Sequence, residues 1–279
     1  MYMHLLAGPA ALQVTSAEPP VLVFRTALEG AASLAWRNRR VRVDEDAWLV
    51  LDGQETCAVH IEPEVRTGLL VVAVSAAERD AAFATLHGTA ADDAQAREVE
   101  PPDAFAFAEN LHPRAGLAGR RLLAIARGRA AGRSAAAERA DRVALVQEAI
   151  GEEIALRRQA TRIGCVKLAT REQLLRRILL AADFIASHHD EPLLLDEMAR
   201  AASLSRFHFV RLFSLVLGET PHAYLLRKRT AVARRHLAVG SACSEAATRA
   251  GFGSRSALFR NLRKAGPLTT GQETCFLSA

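Results

Sequence analysis

Arginine, serine and aromatic residues recur in one arrangement at two places in the last third of the chain. The first copy covers residues 198–213 and the second covers residues 246–262, with one extra residue in its middle. In each copy an alanine-rich segment ends at a small residue, Ser203 or Gly251, and a serine followed by an arginine comes soon after. Arginine donates paired hydrogen bonds to guanine edges and phosphates, and serine also binds phosphates. These residue types therefore suit the binding of a polyanion such as nucleic acid.

Each copy predicts two helices joined by a tight turn, which would position these side chains. Leu204 and Phe252 follow the small residue and would fill the gap between the helices, while Ser205 and Ser254 lie where they can N-cap the second helix. This is the helix-turn-helix, whose second helix fits the major groove of DNA. A helical bundle that binds nothing is the alternative, and the duplication and the caps argue against it.

The exposed face of each second helix supplies the predicted base readers, which are Arg206, Phe207, Val210 and Arg211 in the first copy and Arg255, Ser256, Phe259 and Arg260 in the second. The first set is unusually apolar and favours contact with thymine methyls, whereas Arg255 is the best candidate for guanine. Arg211 and Arg260 could instead contact phosphates or brace the helix pair. Phosphate contacts are predicted for Ser205, Ser254, Lys228, Arg229, Arg263 and Lys264.

Charge supports a polyanion partner. Residues 1–165 hold 19 Lys and Arg against 22 Asp and Glu, whereas residues 166–279 hold 17 against 9, a net +8. A domain-sized cationic excess raises the local concentration of anions. The segment between the copies, from Pro221 to Val239, is especially basic, and Pro221 fits the first position of a helix.

Helical patterns also precede the two copies. Residues 117–165 are rich in Ala, Arg, Glu and Leu, with a weak point at residues 128–132, and predict a helical linker. An apolar stripe from Leu174 to Ile185 predicts an amphipathic helix that ends near His188 and His189. Two adjacent histidines do not face one metal site on a helix, so we expect polar residues at a helix end.

The N-terminal region predicts short strands at about ten-residue spacing, namely residues 21–25, 40–43, 47–51, 56–61 and 69–74. This spacing indicates a small barrel or a double-sheet roll. Trp36, Trp48 and His60 could line an effector pocket there, although aromatic residues in a small barrel are more often core. The histidines are too widely separated for a metal site, and the cysteines form no C-x-x-C pair, so no metal and no cofactor is expected.

Residues 171–270 resemble the DNA-binding domain of the AraC/XylS family of bacterial transcription regulators. The matching positions are Met198, Ala199, Ser203, Leu204, Ser205, His208, Phe209, Arg211, Phe213 and Gly218, then Pro221, Tyr224, Leu225, Arg229 and Ala233, then Gly251, Phe252, Ser256, Leu258, Arg260 and Leu262. The resemblance implies two helix-turn-helix units on one chain and, more weakly, a cupin-like sensing domain before them. Leu258 and Leu262 stand where the family usually has Phe, which implies a thinner second core.

The sequence thus predicts an α+β protein with a β-rich effector or dimerisation domain at 1–110, a helical linker at 111–169 and a DNA-binding domain at 170–279. We expect a cytoplasmic regulator, not an enzyme, whose partners are promoter DNA, a small-molecule effector, a second copy of the chain and, for an activator, RNA polymerase. No membrane span is expected. The alternatives are a ligand- or partner-binding module with a weakened second helix-turn-helix, and an enzyme with a DNA-binding appendage. Residues 1–165 show no catalytic constellation for the latter.

Overall fold

A computed structural model describes residues 2–6, 10–11, 19–61, 67–88, 100–102, 105–164 and 167–264. The chain divides into two compact units, Met1–Arg158 and Gln159–Ala279. The finer division at residues 110 and 169 stays a prediction.

Two antiparallel sheets form the centre of the first unit. The strands are β1 (Tyr2–Leu6), β2 (Ala10–Ala11), β3 (Leu22–Glu29), β4 (Ala31–Trp36), β5 (Arg39–Asp44), β6 (Ala47–Asp52), β7 (Ala58–His60), β8 (Thr67–Val74) and β9 (His112–Pro113). One sheet has the order β1-β8-β3-β6-β9 and the other has the order β2-β7-β4-β5. The expected mixture of strands and helices is confirmed, whereas a closed cupin-like barrel is not confirmed: the described strands form two sheets.

The first sheet is buried on both faces. Successive side chains of a strand point to opposite faces, so Val23 and Val71 join a core shared with the second sheet, whereas Phe24 and Val72 join a core shared with helices. Burial on both sides accounts for the uninterrupted apolar run at the end of β8. The unit therefore has three layers: sheet, sheet and helices.

Three helices, α1 (Ala76–Gly88), α2 (Leu117–Ala130) and α3 (Ala135–Ala160), supply the helical layer. The predicted weak point at residues 128–132 is confirmed by the break between α2 and α3, whereas α1 was not predicted. Glu78 of α1 accepts a hydrogen bond from Nε of Arg142 on α3 at 2.8 Å. Glu152 of α3 accepts one from the backbone N–H of Ala118 at 2.9 Å and so caps α2.

The second unit is helical. Its helices are α4 (Leu168–Ser187), α5 (Leu195–Ala201), α6 (Arg206–Leu217), α7 (Pro221–Ala238), α8 (Cys243–Arg249) and α9 (Arg255–Lys264). The predicted end of α4 is confirmed, and Pro221 occupies the first turn of α7, where Thr220 accepts a hydrogen bond from Ala223 N–H at 3.2 Å. None of the helices in the described ranges is long and apolar enough to cross a bilayer.

The central helix of this unit is α7, which contacts α5, α6, α8 and α9. At its start Tyr224 packs edge-on against Phe213 of α6, with 5.6 Å between ring centroids. At its end Val232 and Leu237 share a buried core with Leu258 and Leu262 of α9. One helix thus joins two small cores, and each core supports a pair of short helices.

Candidate nucleic-acid interface

The turns between α5 and α6 and between α8 and α9 have the same backbone geometry. The residue at the centre of each turn, Ser203 or Gly251, has a positive φ, 52° and 78° respectively. The next N–H, that of Leu204 or Phe252, donates to a carbonyl five residues back in the first helix, at 3.0 and 2.8 Å. The central residue also donates three residues back, at 2.8 and 3.0 Å. This is the Schellman ending of a helix, and it occurs in both predicted copies.

The start of α6 is exposed. Arg206, Phe207 and Arg211 face solvent, and the Phe207 side chain is 77% exposed, while Val210 is half-buried. Phe209 anchors the opposite face of the helix in the first core. Ser205 occupies the N-cap position but makes no capping hydrogen bond with its side chain. The first turn therefore presents a cation, an aromatic ring and a hydroxyl to solvent.

The start of α9 is exposed in the same way, with Arg255, Ser256, Arg260, Arg263 and Lys264 facing solvent. The hydroxyl of Ser254 accepts a hydrogen bond from the Ala257 N–H at 3.2 Å, which is the predicted N-cap. Phe259, however, is half-buried and packs against the second core. Its prediction as a base reader does not fit this position, because its ring fills space beside the smaller Leu258 and Leu262.

Two cations of α7, Lys228 and Arg229, were predicted to contact phosphates, but their side chains lie largely within the protein. Lys228 is only 6% exposed. The guanidinium of Arg229 donates from Nε to the carbonyl of His189 at 2.6 Å and from Nη2 to the carbonyl of Glu191 at 2.7 Å. Burial lowers the pKa of Arg229, and the Asp190 carboxylate opposes this effect. Both residues thus fit a structural role, in which Arg229 fastens α7 to the chain that follows α4.

We expect Arg229→Lys to lower the stability of the second unit by about 1–3 kcal/mol, because lysine keeps the charge but cannot make both hydrogen bonds. Thermal unfolding followed by circular dichroism measures this. Arg227→Lys on the same helix is the control, since Arg227 forms an exposed pair with Glu219 that contributes little. Unchanged stability of Arg229→Lys, together with a DNA salt slope reduced by about 1 in Arg229→Gln, would restore the phosphate role.

An acidic residue that the sequence interpretation missed lies beside the first predicted reader. The Arg206 guanidinium donates from Nε and Nη2 to the two carboxylate oxygens of Asp196 near the start of α5. The side chains are 66% and 42% exposed. Ten residues separate the two positions, so no helical spacing could have indicated the pair.

The predicted effector residues are not brought together. Trp36 is buried between the two sheets and donates from Nε1 to Glu109 at 2.9 Å. Trp48 lies on the other face of the first sheet, where its ring stacks on His112 with 4.2 Å between centroids. His60 is exposed. Trp36 and Trp48 belong to different layers, so these three side chains cannot line one pocket.

The first unit has a cavity of about 130 Å³ elsewhere, lined by Val21, Leu22, Asp52, Arg79, Phe83, Pro102, Phe105 and Phe107. Its lining combines three phenylalanine rings with the charged side chains of Arg79 and Asp52, and its exposed surface is mostly polar. The described ranges contain no group of three or more His, Cys, Asp or Glu side chains that could hold a metal ion.

Comparison with known proteins identifies the second unit. The family model described as a helix-turn-helix domain matches residues 198–269, which contain both Schellman turns. Residues 198–269 are therefore a helix-turn-helix domain.

Several solved structures are similar to part or all of the chain. The DNA-binding domain of AdpA, solved with a target DNA, is 26% identical over 36% of this chain and 90% of that chain, with a TM-score of 0.32. The xylose-binding transcription activator xylR is 24% identical over 36% of this chain and 27% of that chain, with a TM-score of 0.32. ToxT from Vibrio cholerae is 10% identical over 99% of this chain and 97% of that chain, with a TM-score of 0.37. No curated protein matches the sequence.

Proposed function

We propose that the chain regulates transcription by reading promoter DNA through the first turns of α6 and α9. The repeated Schellman turn carries this proposal, because it gives both helices the same exposed start with an arginine as the first helical residue. A helix in this position places its N-terminal side chains against base edges in the major groove. The AraC-type domain thereby offers two readers on one chain.

The two readers enter successive major-groove faces about 34 Å apart and so read an asymmetric site. Arg206, Phe207 and Arg211 contact bases from α6, and Arg255, Ser256 and Arg260 contact them from α9. Ser205, Ser254, Arg263 and Lys264 contact phosphates and fix the register without reading sequence. Because α7 touches both modules, it holds the two helices at a defined separation.

The first unit serves as a cupin-like effector and dimerisation domain. The cavity beside Arg79 and Asp52 is the candidate place for a small polar molecule, since its volume of about 130 Å³ is below that of sites for drug-sized ligands. If the chain dimerises through this unit, two sites are read together and affinity rises through effective concentration. An activating form contacts RNA polymerase.

A partner-binding module with a weakened second helix-turn-helix is the second candidate. Leucines stand in the second core where larger aromatic residues would bury more surface, so this module could be less stable than the first. That core nevertheless buries Leu258, Leu262 and Phe252 against α7 and α8, which favours an ordered second module.

Fluorescence anisotropy tests the proposal with the full chain, a site obtained by random-sequence selection and scrambled DNA across a salt series. We expect preference for the selected site, affinity that falls steeply with salt, and a loss of about 1–3 kcal/mol of discrimination in Arg255→Ala. Arg249→Ala is the control, since Arg249 is an exposed arginine on α8 paired with Glu245. Equal affinity for all DNAs, or no binding, would overturn the proposal and favour the partner-binding module.

A further inference from the structure

The ion pair between Asp196 and Arg206 assigns a role to a residue outside the predicted readers. We infer that Asp196 is a positioning residue that orients Arg206 to read guanine and makes the first module more selective than the second. The inference rests on the proposed function, since it concerns how the α6 reader discriminates among bases.

The geometry of the pair leaves one edge of the guanidinium available. Arginine has five N–H donors, and the carboxylate of Asp196 engages Nε–H and one N–H of Nη2. Two N–H groups on Nη1 and one on Nη2 remain at the end of the side chain. This edge matches the O6 and N7 acceptors of guanine. Asp196 holds the long side chain in one orientation, so less side-chain freedom is lost when the contact forms.

Exposure argues against a role of the pair in folding. Exposed ion pairs contribute little to stability, because solvent screens them and two side chains must be ordered. The Arg206 side chain is 66% exposed and that of Asp196 is 42% exposed, and Arg206 stands at the helix start that would face DNA. The carboxylate also repels nearby phosphates, so Asp196 lowers affinity for DNA of any sequence while Arg206 favours one base.

The second module provides an internal comparison. Asp196 and Ser244 are each the second residue of the first helix in their module, and Arg206 and Arg255 are each the first residue of the second helix. Serine has no carboxylate, and among the described residues no ion pair of Arg255 is found. The first helix-turn-helix thus has an arginine oriented by a carboxylate, and the second does not. This predicts that the two modules discriminate unequally among bases at the two ends of the DNA site.

Reciprocal exchange of these residues in the full chain tests the inference. Random-sequence selection gives the wild-type site, and Arg206→Ala identifies the base pair whose preference depends on Arg206. We expect Asp196→Ser to reduce discrimination at that base pair at least about five-fold, and to raise affinity for scrambled DNA, with an unchanged melting temperature. Ser244→Asp should sharpen discrimination at the base pair that depends on Arg255.

Glu219→Gln is the charge control, because it removes the carboxylate that pairs with Arg227 of α7 and should leave the base preferences unchanged. If Asp196→Ser keeps the wild-type preferences while Arg206→Ala changes them, Arg206 reads without help and the inference is wrong. If Arg206→Ala also has no effect on a sequence-specific wild type, the inference fails while the proposed function stands. A wild type without sequence preference overturns both.

Discussion

Gly251→Ala is expected to unfold the second helix-turn-helix module at temperatures where the rest of the chain stays folded. A non-glycine residue in the left-handed region costs about 1–2 kcal/mol, and Gly251 has a φ of 78°. Its added Cβ would also lie 2.5 Å from the carbonyl oxygen of His189 and 2.7 Å from the Cα of Asp190. Both are backbone atoms, so the module must move, at a further cost of about 1–3 kcal/mol.

Gly218→Ala separates these two effects. Gly218 ends α6 with a φ of 76°, nearly that of Gly251, but among the described residues nothing lies within 4 Å of where its Cβ would be. Gly218→Ala should therefore lower stability only by the cost of the left-handed backbone, about 1–2 kcal/mol. Hydrogen exchange measures local stability, on the α8 and α9 amides for Gly251→Ala and on the α6 and α7 amides for Gly218→Ala. Tryptophan fluorescence serves as a reference, because Trp36 and Trp48 are the two tryptophans and both lie in the first unit. Equal losses in the two variants would mean that the close approach to His189 does not matter.

Acidification is expected to destabilise the first unit through His112. This side chain is 4% exposed, stacks on Trp48, and makes no hydrogen bond through Nε2 with any described residue. Burial lowers the pKa of His112 to about 4 from its ordinary value of 6.5, although a hydrogen bond to the backbone of Ala108 acts in the opposite direction. Below pH 6.5 the unfolded chain binds a proton that the folded unit does not, so stability falls with pH down to about 4. The loss at the lower limit is about 3 kcal/mol.

Urea unfolding followed by tryptophan fluorescence across this pH window measures the effect. His112→Gln should be less stable at neutral pH, but its stability should depend less on pH. Burial raises the pKa of Glu153, and Arg157 opposes this shift. A carboxyl with a raised pKa adds stability as pH falls, which opposes the effect of His112. The difference in stability between wild type and His112→Gln at each pH therefore isolates the contribution of His112. Parallel pH profiles for wild type and His112→Gln would contradict the assignment to His112.

Local patterns account for the parts of the fold that the sequence predicted. Apolar periodicity indicated α4, proline indicated the start of α7, and the repeated Ser203 and Gly251 positions indicated both turns. Strand β4 was missed because Ala31, Ala32, Ser33 and Ala35 weaken its apolar pattern, and α1 was missed because its composition is also that of a polar connector.

Long-range contacts account for what the sequence could not supply. The role of Arg229 depends on carbonyls 38 and 40 residues earlier in the chain. Trp36 and Trp48 are separated because their strands, β4 and β6, belong to different sheets. Which sheet a strand joins depends on the strands to which it hydrogen-bonds, and the local sequence does not indicate this. Phe259 is followed by an arginine and so has the sequence pattern of an exposed base reader. Its neighbours in the second core are small, however, and its ring packs against that core.

The short backbone segment after α4 receives contacts from two directions: Arg229 binds the carbonyls of His189 and Glu191, and the Gly251 turn rests on His189 and Asp190. Under the proposed function, both helix-turn-helix modules would therefore be positioned on DNA from this one segment. One inserted base pair rotates the far half-site by about 35° around the DNA axis, and a clamp of this kind cannot follow it. Under the proposed function, we therefore expect the binding sites of this protein to conserve the length of their central spacer more strictly than its sequence.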